Sequence, residues 1–378
     1  MEYRKLWGTE EKVSLLGMGC MRFPTVGDTG EIDEAEAQKI VDYAYEHGVN
    51  YFDTAFMYHG GKSEGFIGRA LKKYPRESYN LITKMPGWEI TKPSDVERIF
   101  NLQLSRCGVD YFDFYLCHSV RENNFAFYED NHVFEFLTEM KKQGKVRHIG
   151  FSFHDTPEVL EKVIDKYPWE FVQIQLNYLD WELQDAKRQY EIIKSRGIQC
   201  IIMEPVRGGA LADLCPEANE LLLQAQPDKS IASWAIRYAA SLDNVLTVLS
   251  GMTSMEQVKD NVATLSAFAP LTDAERSVLG KALDIYKKKD TVPCTGCRYC
   301  MDCPFGVDIP GVFAAFNEYI IGGRKAQPFL HAYGVLERDK ASAEYCKSCG
   351  KCMKLCPQAI GIPEKMRFIA GQVSELKK

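Results

Sequence analysis

From residue 12 to about residue 267, short apolar runs alternate with amphipathic stretches, the pattern of repeated βα units. Eight runs predict strands, at 14–19, 49–53, 80–84, 112–118, 146–152, 171–175, 199–204 and 245–250. Between them apolar positions recur with helical spacing, behind recognisable start signals: Asp33 before 35–47, Ser94 with Glu97, Thr156 followed by Pro157, and Ser254 with Gln257. Eight such repeats within about 260 residues fit a (β/α)8, or TIM, barrel of the α/β class better than an open sheet, and residues 3–13 read as a hairpin plugging one end. A break follows at Ala269-Pro270-Leu271-Thr272, where Thr272 and Glu275 form a capping box for a helix running to about Lys289. Beyond it, 312–320 is helical in pattern, Gly322-Gly323 is a turn, and β-branched alternation is sparse. The expected organisation is a barrel over 1–270 and a mostly α-helical domain over 271–378.

Composition narrows the function classes. No apolar run approaches the roughly 18 residues of a membrane helix, and the opening Met-Glu-Tyr-Arg-Lys-Leu-Trp lacks a signal peptide's apolar stretch, so a cytoplasmic protein with no membrane partner is expected. With 46% hydrophobic and 26% charged residues, disorder is excluded. A net charge of −6 without a concentrated basic run argues against nucleic acid.

Cysteine usage is the anomaly, because eight of the 13 fall between 294 and 356. In a reducing compartment such clustering points to metal rather than disulfides. The run Cys346-x2-Cys349-x2-Cys352-x3-Cys356-Pro357 has the spacing of bacterial iron–sulfur proteins, in which three close thiolates wrap one cubane and the proline-tagged fourth reaches another. The earlier run, Cys294-x2-Cys297-x2-Cys300-x2-Cys303-Pro304, differs only in its last gap. Both continue alike, with Ile309-Pro310 answering Ile362-Pro363, which marks an internal duplication. Crossed ligation would place one 4Fe-4S cluster on Cys294, Cys297, Cys300 and Cys356, and the other on Cys346, Cys349, Cys352 and Cys303. The shorter last gap leaves uncrossed ligation open, and structural zinc is the simpler alternative. With helical pattern between its two runs, the segment from about 284 to 378 resembles α-helical ferredoxin domains.

In barrels the chemistry sits at the carboxyl ends of the strands. The second predicted strand ends at Asp53, with Tyr58 five residues beyond; the third ends at Lys84 and the fourth at His118. This set suits protonation of a carbonyl oxygen as hydride arrives. Tyr58 would supply the proton, Lys84 would lower its pKa, Asp53 would hold Lys84 charged, and His118 would orient the substrate oxygen. Singly, each residue is better explained as a cap, a core edge or a solvated charge; together, at adjacent strand ends, they form a candidate tetrad.

At these positions the chain resembles the aldo-keto reductase family. The matching pieces are Gly48-Val49-Asn50-Tyr51-Phe52-Asp53-Thr54-Ala55, Tyr58, 64–68, Thr83-Lys84, Leu116-Cys117-His118, Gly150-Phe151-Ser152, Gln173 and 251–261, in order over about 270 residues. The resemblance implies a catalytic tetrad of Asp53, Tyr58, Lys84 and His118, acting on a small carbonyl or alcohol substrate with NADP or NAD. It implies that Ser152 and Gln173 hold the nicotinamide carboxamide, and that the Gly251 loop with Asn261 grips the adenosine end. Three positions depart from the family pattern: Phe153 follows Ser152, Met203 stands where an aromatic stacks on nicotinamide, and Gln257 replaces a base that meets the 2′-phosphate of NADP. Arg207, before Gly208-Gly209, reads either as a phosphate contact or as a surface ion pair. His59 and Trp88 could border the pocket.

The expected function is a carbonyl-reducing or alcohol-oxidising oxidoreductase fused to a two-cluster ferredoxin-like domain. Hydride moves two electrons whereas each cluster passes one, so a redox partner, ferredoxin or flavoenzyme, enters the picture. Two other readings stand beside it: an electron-transfer protein whose barrel is a scaffold for a flavoenzyme, and clusters that serve only to clasp the chain end.

Overall fold

A computed structural model describes residues 1–301 and 303–377. The chain begins with an antiparallel hairpin, β1 (Tyr3–Lys5) and β2 (Lys12–Ser14), in the register Tyr3 opposite Ser14. Eight parallel strands follow: β3 (Leu16–Gly19), β4 (Tyr51–Asp53), β5 (Asn80–Met85), β6 (Phe112–Val120), β7 (Val146–Phe153), β8 (Phe171–Gln175), β9 (Gln199–Met203) and β10 (Val245–Ser250). They close into a barrel in chain order, with β10 pairing β3. β6 is buried at all nine of its positions because helices cover the outer face and side chains fill the inner one. The inner core runs through Tyr51, Ile82, Phe114, Leu116, Phe171, Ile201, Leu246 and Leu249. Leu6 and Val13 of the hairpin join this cluster, so the hairpin does plug the barrel.

The helix starts follow local chemistry. Asp33 accepts from Glu36 N–H, Ser254 from Gln257 N–H, and Thr272 with Glu275 makes the reciprocal box. The expected box at Ser94 and Glu97 does not form. The helix Pro93–Cys107 opens earlier, because Pro93 has no N–H to leave unpaired in a first turn, and Asp95 instead accepts from the N–H groups of Thr91 and Lys92.

By packing the chain forms two compact units, Met1–Pro205 with Ala235–Leu271, and Val206–Trp234 with Thr272–Lys378. Residues 206–234, which the expected division keeps with the barrel, pack within the second unit: the helix Pro216–Ala225 packs against Asp273–Lys287, Gln226 donates to Glu275, and Lys289 pairs with Glu217. The second unit is helical, with Ile309–Ile321, Ala326–Arg338 and Ile362–Leu376 enclosing Val312, Phe313, Phe316, Tyr333, Met366 and Ile369. Among the described residues no helix is long and apolar enough to cross a membrane.

Below the barrel core, His148 on β7 bridges Glu170 and Glu11, at 2.8 Å to each. Burial opposes its charge, but the two carboxylates outweigh burial and raise its pKa above the ordinary value. A raised folded-state pKa adds stability that is complete below the unfolded value, about 6.5, and is lost as pH rises through the folded one. The His148→Gln variant is therefore expected to be less stable than the native chain by about 1–2 kcal/mol near pH 6, with the gap shrinking toward pH 9. Urea unfolding of the two proteins across that range measures it; a gap that grows with pH would contradict the assignment.

Candidate active site and cysteine cavities

Strand side chains alternate faces, so residues two apart share one. Tyr51, Ile82 and the pair Phe114 and Leu116 point into the core, and one pleat further on stand Asp53, Lys84 and His118. Tyr58 reaches the same place from a single tight turn, Tyr58–Gly61, in which His59, Gly60 and Gly61 have positive φ. The sequence-predicted four are thus brought together, and all are buried.

Lys84 Nζ donates to Asp53 Oδ1 at 2.6 Å and to the Thr54 carbonyl at 2.8 Å, and lies 3.5 Å from the Tyr58 hydroxyl. The Tyr58 and His118 rings meet edge to face at 6.1 Å, and Trp88 lies over His118 at 5.1 Å. Burial, then the Asp53 charge, pushes the Tyr58 hydroxyl well above its ordinary pKa. The net shift is thus upward, although Lys84, expected to lower this pKa, stands beside the hydroxyl with its short bonds to Asp53 and Thr54. Burial, with Lys84 and His154 adding to it, holds His118 well below the usual imidazole range, hence neutral. His118 Nδ1 and Asp53 Oδ2 are buried without protein partners.

Under Lys84 lies a polar cluster that sequence reasoning missed. Gln103 Nε2 donates to the Lys84 carbonyl at 2.9 Å and to Glu64 Oε1 at 2.7 Å; Thr83 also donates to Glu64, and Tyr115 to Gln103. Arg106 pairs with the fully buried Glu64 at 3.1 Å. The one sequence signal was that Glu64 opens a family-like stretch; Gln103 carried none.

On the far side of the barrel mouth, Gln173 and Met203 stand one pleat beyond Phe171 and Ile201. Gln173 Nε2 meets only the Met203 sulfur at 3.6 Å, and its Oε1 is buried with no partner. Ser152 accepts from Ser119 N–H, which leaves its hydroxyl proton to donate. Asn261 donates to Ser250, and the uncharged Gln257 accepts from Thr253 N–H. A Cβ on Gly251 would come 3.0 Å from Arg22, which pairs with Glu204 at 3.1 Å; Arg22 is the base at this loop that the sequence pattern did not single out. His59 Nε2 accepts from Phe23 N–H at 3.2 Å and holds that loop.

Arg207 is elsewhere, and its reading as a phosphate contact or surface ion pair is corrected. It lies in the second unit, 1% exposed, donating to the Pro293 carbonyl and to Gln358 Oε1, both at 2.9 Å. These two partners precede Cys294 by one residue and follow Cys356 by two. Cys294, Cys297, Cys300 and Cys356 line one small cavity; Cys303, Cys346, Cys349 and Cys352 line another. Burial pushes the Cys294 thiol up to about 11 and Cys300 to about 12, and in both the neighbours adding to the rise are cysteines of the same quartet. Each cavity is thus lined by four cysteines, one of them from the other run.

Sequence comparison identifies two families along the chain. The Aldo/keto reductase family profile matches residues 15–283, and a 4Fe-4S dicluster domain profile matches 293–361. The chain is similar to an L-galactose dehydrogenase of Arabidopsis thaliana, 29% identical over 72% of this chain and 90% of that one. It is also similar to an NADH-specific methylglyoxal reductase of Escherichia coli, 27% identical over 66% and 88%. Among solved structures, an aldo-keto reductase from Bacillus halodurans in its holo form superposes with a TM-score of 0.62, at 28% identity, over 75% of this chain and 96% of that one.

Gly208 has φ +65°, and a Cβ there would fall 2.0 Å from the Thr295 carbonyl oxygen, next to Cys294. Gly208→Ala is expected to displace Thr295 and cut the iron bound per chain toward half, leaving the barrel's circular dichroism unchanged. Full iron content in the variant would show that this close packing does not hold the first cavity.

Proposed function

Because the chain belongs to the aldo/keto reductase family, as the match over residues 15–283 shows, we propose that its barrel reduces a small carbonyl compound, or oxidises the matching alcohol, using NADP(H) or NAD(H). The observation that carries this is the buried convergence of Lys84 on Asp53 at 2.6 Å and on Tyr58 at 3.5 Å, at the ends of adjacent strands. The nicotinamide, when bound, supplies or accepts the hydride. Tyr58, kept protonated by burial, donates its hydroxyl proton to the carbonyl oxygen, and the Lys84 ammonium beside it offsets the negative charge left behind. Asp53 and the Thr54 carbonyl hold that ammonium in place. Neutral His118 fixes the approach of the substrate oxygen, with Trp88 alongside.

The partnerless Gln173 Oε1 fits the amide N–H of a nicotinamide carboxamide, with the Ser152 hydroxyl donating to its carbonyl. Met203 takes the place against the ring, and Gly251, Gln257 and Asn261 border the adenosine end. In the second unit we assign two 4Fe-4S clusters, one to Cys294, Cys297, Cys300 and Cys356, the other to Cys303, Cys346, Cys349 and Cys352, and we place the protein in the cytoplasm, where such thiols stay reduced. The intact tetrad favours catalysis by this chain over a barrel that is only a scaffold for a flavoenzyme.

Tyr58→Phe is expected to lower kcat for carbonyl reduction by about 10²–10⁴-fold while nicotinamide affinity stays within about twofold; Lys84→Met should behave alike. Full activity in Tyr58→Phe would overturn the tetrad. Anaerobically prepared protein should carry about eight irons and eight labile sulfides. With crossed ligation, Cys356→Ser removes the same electron paramagnetic resonance signal as Cys297→Ser, whereas loss of the Cys349→Ser signal instead would establish uncrossed binding.

A further inference from the structure

The eight thiols of the second unit are not equally enclosed. Seven are half-buried, and Cys349 is exposed. It sits between two residues of left-handed backbone, Ser348 at φ 53° and Gly350 at φ 74°, which carry the chain out over the second cavity.

Along the chain on either side of Cys349, between Glu344 and Glu364, the charge is one-sided. Lys347, Lys351 and Lys354 are all exposed, and Lys347 lines the cavity itself. From Tyr345 to Pro363 there is no Asp or Glu, in a chain whose net charge is −6. Lys351 and Lys354 lie three apart on the short helix Lys351–Leu355, and so share a face. None of the three is paired with a carboxylate among the described residues, although exposed lysines elsewhere, such as Lys39, Lys62 and Lys377, are. Large apolar side chains are interspersed: Phe305, Tyr345, Met353 and Leu355 are each between 38% and 50% exposed, and Phe305 lines the same cavity. An exposed apolar patch rimmed by unpaired charge of one sign is the make-up of a transient protein interface, where complementary charge speeds encounter and a small area permits quick release.

We propose that the face around Cys349 is the docking surface for a small acidic iron–sulfur protein, which passes single electrons to the cluster held there. This rests on the assignment of a 4Fe-4S cluster to Cys303, Cys346, Cys349 and Cys352. One electron leaves the donor's reduced iron–sulfur centre and enters that cluster; no bond is made or broken, and the lysines move no proton. The neighbours favour a protein over a polyanion or a membrane. Three cations are few for a phosphate backbone, whose binding draws on about 6–10 contacts, and they flank in sequence the most exposed of the eight thiols.

The test uses the holoprotein and, as probe, a reduced ferredoxin of strongly negative net charge, mixed anaerobically in a stopped-flow instrument. The second-order rate of visible bleaching should fall steeply with added salt. The triple variant Lys347→Gln, Lys351→Gln, Lys354→Gln should react about tenfold more slowly at low ionic strength and lose most of the salt dependence, with iron, sulfide and bleaching by dithionite unchanged. The control Lys281→Gln, Lys288→Gln should match the native protein. Unchanged rate and salt dependence in the triple variant, with clusters intact, would overturn the docking surface alone. Native protein without iron and labile sulfide would overturn the cluster assignment as well. Binding to duplex DNA or to phosphatidylserine vesicles that exceeds binding to ferredoxin, and is lost in the triple variant, would reassign the face to that partner.

Discussion

A charged ammonium taken out of water costs several kcal/mol unless another charge and well-placed acceptors receive it. Lys84 is such a group, fully buried at the end of β5. Asp53 on β4 and the Thr54 carbonyl satisfy it, and this need sets where the ends of two neighbouring strands stand. Beneath, Gln103 and Glu64 grip the Lys84 backbone, and Arg106 offsets the Glu64 charge. Tyr58 is then brought to 3.5 Å from an ammonium that cannot move away. Removing either partner of the Lys84–Asp53 pair would leave the other buried and unmatched. The site is therefore one electrostatic unit rather than four independent side chains.

Such a unit bears on proton transfer. A tyrosine kept protonated by burial is ready to give a proton to a developing alkoxide, and the ammonium lessens the cost of the phenolate only once it forms. His118, neutral and with Nδ1 unpartnered, adds a polar contact without adding charge. The 4Fe-4S domain adds chemistry of a different kind, since a cluster handles one electron at a time and hydride carries two. In the second unit Arg207, a buried cation, is hydrogen-bonded beside the chain segments of Cys294 and Cys356.

Much of this was legible in the sequence because it rests on short periods and fixed spacings. The runs 171–175 and 245–250 are the strands Phe171–Gln175 and Val245–Ser250, and the two-residue alternation that buries Tyr51, Ile82 and Phe114 also aims Asp53, Lys84 and His118. The motif left open whether Cys356 joins the earlier cysteine run, and the cavity linings place it beside Cys294, Cys297 and Cys300. What escaped depends on contacts between distant segments. Residues 206–234 carry an ordinary amphipathic pattern, and only the helix Asp273–Lys287 lying against Pro216–Ala225 reveals their unit. Arg207 looked like a loop base because local sequence does not disclose that Pro293 and Gln358 enclose it. The net upward shift of Tyr58 escaped for a related reason: it comes first from burial, which local sequence does not show.

Whether the barrel transfers hydride itself is decided most directly by isotope. Nicotinamide deuterated at C4, on the face the enzyme uses, is supplied in ordinary water with a carbonyl substrate that the protein turns over, and the alcohol is analysed by mass spectrometry and proton resonance. Direct transfer predicts one deuterium on the former carbonyl carbon of every product molecule. Product formed without deuterium there from either C4 epimer, and acquiring the label instead when the reaction is run in heavy water, would contradict it and place the chemistry on single electrons and solvent protons.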